Sequence, residues 1–212
     1  MLIKKYFPVV YVIIVLLDLV LMHLLPEGRW FSKPLIMISL IYLYAQVKDG
    51  AIDRMFFSAM IFALLGDVFL LVNKSNFFIL GILAFMVMQV RYGQYFLRQR
   101  KLFGSYKYIL SAIVIAICLW FNITFSDRFG ELRIPVMVYS GAISFMAITA
   151  IAQEKSRLIL YGSLIFVLSD LLLAYNKFVN PMMKLDIWVM ITYSLAQFLI
   201  VNGSLKNGEK DF

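Results

Sequence analysis

Eight stretches of about 20 mostly apolar residues, separated by short polar breaks, constrain this chain more than any other feature. A helix needs about 20 such residues to cross the hydrocarbon core of a bilayer. Candidate spans fall near residues 7–25, 34–47, 55–72, 77–97, 106–125, 132–152, 157–175 and 185–204. The breaks carry Pro26-Glu27-Gly28, Lys48-Asp49-Gly50, Ser126 to Gly130 and Asn180-Pro181, all turn-forming sequences. Pro34 opens the second, shortest run and suits the first turn of a helix. With 63% hydrophobic and 15% charged residues over 212 positions, a soluble fold would leave far too much apolar surface in water. The expected fold is all-α: a polytopic bundle of about eight transmembrane helices in one domain spanning 1–212, with no linker long enough to divide it. The first run is long enough to remain as a span, and no small-residue cleavage site follows it.

The formal charge is +8. Lys and Arg stand singly or in short groups between apolar runs, as at Lys4-Lys5 and Arg98 to Lys101, with no basic face interleaved with aromatics. Nucleic-acid binding is therefore not expected; the charge orients helices instead. With a cytoplasmic N-terminus, the inner segments hold twelve basic residues (Lys4, Lys5, Lys48, Arg54, Arg98, Arg100, Lys101, Lys107, Lys155, Arg157, Lys206, Lys210). The outer segments hold seven (Arg29, Lys33, Lys74, Arg128, Arg133, Lys177, Lys184). This bias favours both termini inside. Cys118 and His23 are the only residues of their types, which removes disulfides, multi-histidine and cysteine metal sites, and most Ser-His or Cys-His hydrolases. No metal and no cofactor is expected.

Shifting the chain by 103 residues aligns its halves, about 1–103 and 104–206, without a gap. Asp67 then meets Asp170, Asn73 meets Asn176, Lys74 meets Lys177 and Gln94 meets Gln197. Four spans per copy would enter from the same side, so a duplication predicts a parallel 4+4 repeat about an axis along the membrane normal. Chance agreement between two apolar halves is the competing account.

Asp67, preceded by Gly66, and Asp170, preceded by Ser169, lie inside the third and seventh runs. A carboxylate at a span centre costs about 2.5–3.5 kcal/mol on insertion scales and marks a functional site by default. A small residue beside it lets a helix or substrate approach closely. Removal from water disfavours ionisation, more so for two neighbouring carboxyls, so one could stay protonated beside an ionised partner. The structural alternative is that both aspartates bond to Ser, Tyr or Asn of other helices and only hold the bundle. Asp18 has no acidic counterpart, Phe121 falling at its register, and is a weaker candidate for the same cavity. Arg91, deep in the fourth run, is expected to extend toward the cytoplasmic interface. Asn73, Lys74, Asn176 and Lys177 close the outer ends of two spans and are candidates to meet a phosphate headgroup; as interfacial residues they otherwise anchor helices.

Together, Leu65-Gly66-Asp67-Val68-Phe69-Leu70-Leu71, Gly81-Ile82-Leu83-Ala84-Phe85, Phe166-Val167-Leu168-Ser169-Asp170 and Thr192-Tyr193-Ser194-Leu195-Ala196-Gln197 resemble the YhhN family of lysoplasmalogenase-like eight-span membrane proteins. The resemblance covers most of the chain and is strongest in spans three, four, seven and eight. It implies hydrolysis of the vinyl ether bond of a lysoplasmalogen to fatty aldehyde and a glycerophospho-alcohol, and it points to Asp67 and Asp170 as the functional pair. Gln89 is a departure, since many relatives are expected to carry histidine there. Vinyl ether hydrolysis proceeds by protonation of the β carbon, then water attack on the oxocarbenium ion. A carboxylic acid near a carboxylate suits it, as in glycosidases. Tyr193 and Gln197, at i and i+4 on one face of span eight, are candidates to support the pair or to bond between helices. The expected partners are a membrane lipid substrate and the bilayer, and the expected location is a bacterial inner membrane. A proton-coupled transporter or flippase is the main alternative, since repeats and buried acids describe carriers too; a non-catalytic lipid-binding protein is the third.

Overall fold

A computed structural model describes residues 2–48, 50–72, 74–99 and 104–205. Eight α-helices account for nearly all of them: α1 (Leu2–Leu24), α2 (Arg29–Val47), α3 (Arg54–Leu71), α4 (Ser75–Leu97), α5 (Ser105–Phe125), α6 (Arg133–Ala152), α7 (Arg157–Phe178) and α8 (Met183–Leu205). Short 3₁₀ turns lead into α2 and α6. Among the described residues, seven helices are long and apolar enough to cross a membrane. The remaining one, α2, has 19 residues and carries Arg29, Lys33 and Pro34 in its first third. The chain is an all-α integral membrane protein.

The helix ends follow local chemistry. Asp53 caps α3 by accepting from Met55 N at 2.9 Å and Phe56 N at 3.1 Å, and the Ser156 hydroxyl caps α7 by accepting from Leu158 N. These side chains satisfy donors that a helix start leaves open. The turns at Gly50 (φ +81°) and Gly130 (φ +54°) use left-handed backbone, which glycine adopts without a Cβ clash. Pro34 is not a first-turn residue: the 3₁₀ turn Pro26–Gly28 runs straight into α2, so the helix begins at Arg29 and encloses the proline.

The polarity pattern is that of a chain solvated by lipid. Val9, Ile13, Leu16 and Val20 on α1 are exposed, as are Ile113, Trp120 and Ile123 on α5, whereas Asp18, Asp67, Gln89, Ser163 and Gln197 are buried. Water would favour the opposite arrangement.

The chain divides into two compact units, residues 1–88 and 89–212, with the division inside α4. In the first unit, α2 packs against α1 and α3. The Gly66 position on α3 is filled by the Phe85 ring of α4; a Cβ there would lie 2.7 Å from it. In the second unit, α7 and α8 form the most intimate pair. A Cβ at Gly162 would lie 2.9 Å from the Ala196 carbonyl oxygen, and one at Gly203 would lie 2.9 Å from Ile159 N. Small residues let membrane helices come this close and gain dispersion contact. The starts of α1, α2 and α3 precede those of α5, α6 and α7 by 103 residues to within one, while α4 and α8 depart from that spacing.

Candidate functional site

Asp170 projects from the middle of α7, and two neutral donors converge on one of its oxygens. The Tyr139 hydroxyl on α6 donates to Oδ2 at 2.6 Å, and Gln89 Nε2 on α4 donates to the same atom at 2.9 Å. Oδ1 accepts no hydrogen bond among the described residues. Gln89 is fully buried and its Oε1 has no hydrogen-bond partner among those residues. Its amide supplies the N–H that a ring nitrogen would offer at this position, but an amide cannot take up or release a proton as imidazole does.

Asp170 and Tyr139 line a cavity of about 50 Å³ with Cys118, Phe121, Ile143 and Leu171 on α5, α6 and α7. That is room for a few water molecules. Beside it, Phe121, Phe129 and Val136 form an apolar cluster with Phe125, Tyr175 and Phe178 packed around them. A larger cavity of about 430 Å³, lined by Lys107, Glu154 and Arg157 among others, contains none of the candidate residues.

The structure gives the other candidates distinct settings. The Gln197 Oε1 accepts from the Tyr92 hydroxyl at 3.0 Å. Tyr193 is buried with its ring edge-on to Phe166, 5.8 Å between centroids, one turn from Asp170 on α7. The small residue before Asp170 serves close helix approach: Ser169 Oγ donates to the Val189 carbonyl of α8 at 3.1 Å. Asn176 locks the α7–α8 connection, donating to Asp186 Oδ1 at 2.7 Å and accepting from Met182 N at 2.6 Å. Lys74 and Lys177 are exposed. Asn73 lies outside the described residues, as do Arg100, Lys101, Lys206 and Lys210 of the charge count.

Asp67 belongs to a charged cluster in the first unit. Its Oδ1 lies 3.7 Å from Lys33 Nζ, both side chains being buried. One turn before Lys33, Arg29 pairs with Asp18 through Nε at 3.4 Å and Nη2 at 3.3 Å, and Ser32 Oγ donates to Asp18 Oδ1 at 2.6 Å. Lys33 and Arg29, counted by sequence as outer interfacial charges, thus lie against carboxylates of α3 and α1. Their i, i+4 spacing on one helix face was the available signal. Tyr139, by contrast, has no sequence signal beyond being a polar-tipped residue in an apolar run. Arg91 is half-buried, and its guanidinium lies 3.5 Å from Gln94 Oε1. No group of three or more His, Cys, Asp or Glu gathers among the described residues to hold a metal.

A polytopic membrane protein with hydrogen-bonded carboxylates inside its spans is the class that this fold and these contacts define. The YhhN family model matches residues 28–204, and the chain belongs to that family. It is 29% identical over 162 residues to the lysoplasmalogenase TMEM86A of Bos taurus, an alignment covering 72% of this chain and 66% of that protein. The human lysoplasmalogenase TMEM86A is 26% identical over the same coverage, and human lysoplasmalogenase TMEM86B is 25% identical over 166 residues, 78% of this chain and 70% of that protein. The chain thus matches about two thirds of the length of these relatives. No solved structure matches it.

Proposed function

We propose that this protein is a membrane-embedded hydrolase of vinyl ether lipids, acting on a lysoplasmalogen, with Asp170 as its proton donor. The observation that carries this reading is the one-sided bonding of Asp170. Two neutral donors hold Oδ2 in place, and Oδ1 is left to carry and deliver a proton. The naming of relatives as lysoplasmalogenases supports the substrate class, and the apolar walls beside Asp170 suit an alkenyl chain.

In this mechanism the Asp170 Oδ1 proton is transferred to the β carbon of the vinyl ether, whose π electrons form the new C–H bond. The α carbon becomes an oxocarbenium ion, and the carboxylate left on Asp170 faces the developing cation. As charge appears on Asp170, the bonds from Tyr139 and Gln89 become charge-assisted and strengthen, so they favour the transition state over the ground state. Water adds to the cation and gives a proton to the Asp170 carboxylate, which restores the acid. The resulting hemiacetal collapses to fatty aldehyde and glycerophospho-alcohol.

Asp67 is a second carboxylate that turnover requires, held beside Lys33 at 3.7 Å. Tyr193 and Gln197 support α8 against α4 and α7 in this scheme, while Asn73, Lys74, Asn176 and Lys177 close the outer helix ends. The protein resides in a bacterial inner membrane with both termini cytoplasmic.

The test is release of fatty aldehyde from a lysoplasmalogen by purified protein, beside folded Asp170→Asn. Aldehyde from wild type and its loss in the variant are expected. A folded wild type that releases none, yet moves lipid or solute across proteoliposomes, would replace the hydrolase with a carrier.

A further inference from the structure

We infer that the aromatic seam between α5 and α7 is the passage by which a single lipid chain reaches Asp170, with Phe121, Phe125, Phe129, Tyr175 and Phe178 closing it. This deepens the proposed function, since it rests on Asp170 as the acid, and it names the route of the substrate and the class admitted, an apolar chain lying in the bilayer.

The cavity that Asp170 lines is about 50 Å³. Pockets that bury an organic ligand run to about 300–1,000 Å³, so a vinyl ether with its chain reaches the carboxyl only after one wall moves. The helices around this cavity are joined in two ways. Tyr139 of α6 bonds Asp170 of α7 at 2.6 Å, and Asn122 Nδ2 of α5 donates to Ser140 Oγ of α6 at 2.8 Å. α5 and α7 instead meet through rings. Phe125 stands edge-on to Tyr175 with centroids 5.9 Å apart, and Phe129, in the turn after α5, stands edge-on to Phe178 at 5.2 Å. Phe121 packs against both Phe125 and Phe129 and also lines the cavity. It is the partition between cavity and seam.

Such a seam parts easily in a membrane. Rings turn about their side-chain bonds without breaking a backbone hydrogen bond, and a lipid chain replaces the contacts they give up, because lipid tails are as apolar as the rings. Gly130, directly after Phe129, has φ +54° and open space where a Cβ would stand. The position suits the substrate as well. Phe178 is the last residue of α7, and Asp170 lies eight residues, about 12 Å, before it. A lysolipid carries its vinyl ether next to the glycerol, so a headgroup at that helix end and a chain along the seam bring the bond toward Asp170. Trp120 and Ile123 nearby on α5 are 61% and 74% exposed, an apolar surface of the kind that bilayer chains cover.

Cys118 is the only cysteine of the chain and lines the Asp170 cavity, buried, so its alkylation reads opening without any turnover. The experiment labels the full-length protein in phosphatidylcholine vesicles with N-ethylmaleimide, followed by mass. Phe125→Ala and Phe129→Ala each remove ring contacts from the seam and should label about tenfold faster than wild type. Ile123→Ala, on the exposed side of α5, should match wild type. Gly203→Ala, which pushes α8 off the start of α7, should lower thermal stability and leave the labelling rate as it is. A lysophospholipid with a saturated ether-linked chain, which the proposed chemistry does not cleave, should slow the labelling of Phe129→Ala several-fold. Seam variants that label no faster than Ile123→Ala, or a Gly203→Ala variant that labels as fast as they do, would overturn the passage, and so would a lysophospholipid that leaves the rate unchanged. Tyr175→Leu takes the place of either phenylalanine variant that fails to fold. Labelling that follows this pattern in a protein that releases no aldehyde would sink the hydrolase and leave the passage standing.

Discussion

Replacing Asp170 by Asn removes the proton on which the proposed chemistry depends while leaving its surroundings nearly intact. The amide has the carboxyl's shape, and its carbonyl oxygen can occupy the Oδ2 position, still accepting from Tyr139 and Gln89, now 2.6 and 2.9 Å away. In the resting enzyme the protonated carboxyl and the amide are both neutral, so those two bonds keep about the same strength. Neither neutral group carries the cost of a charge inside the membrane. The melting temperature in detergent should therefore move by only a few degrees. The barrier should move much more, because a positioned general acid contributes about 10²–10⁴ in rate, or about 3–5 kcal/mol. Aldehyde release from a lysoplasmalogen, followed by coupling to an aldehyde dehydrogenase, reads the effect directly. A folded variant that keeps more than a tenth of the wild-type kcat would refute the assignment of Asp170 as the acid.

The same reasoning extends to its neighbours. Tyr139→Phe deletes one bond that strengthens as Asp170 ionises; with the proton partly transferred at the transition state, about 0.5–1 kcal/mol is lost, and kcat should fall roughly two- to fivefold with KM unchanged. Asp67→Asn leaves buried Lys33 without its ion pair and should destabilise the fold by about 3 kcal/mol, read as a lower melting temperature that the double variant with Lys33→Met recovers. Gly162→Ala would put a Cβ 2.9 Å from the Ala196 carbonyl oxygen, and forcing α7 from α8 should cost about 1–3 kcal/mol in thermal unfolding. Asn176→Leu removes the bonds to Asp186 and Met182 N and should cost about 2 kcal/mol in the same measurement.

Much of the membrane architecture was legible in the residue order. Apolar length and turn chemistry decide a membrane helix largely on their own, because lipid obliges each span to satisfy its own backbone. The eight spans therefore agree with α1 to α8 to within a few residues at most ends; α1 and α2 each start five residues earlier than expected, and the second case is instructive. Pro34 marks a helix start only where nothing upstream is already helical, and Pro26–Gly28 supplies that upstream turn. Asp67 and Asp170 were likewise visible as candidates, because a carboxyl within an apolar run stands out against its cost. What each carboxyl touches was not visible. That Asp170 meets Tyr139 and Gln89, and Asp67 meets Lys33, depends on how helices distant in sequence rotate and pack. Such rotation is set by close contacts such as Gly162 on Ala196 and Phe85 over Gly66. Local sequence carries the period of a helix and its solvent, while the partner of a buried polar group is decided only when several helices present their faces at once. Asp67 and Asp170, 103 residues apart, thus sit in different surroundings, one beside a cation and one beneath neutral donors.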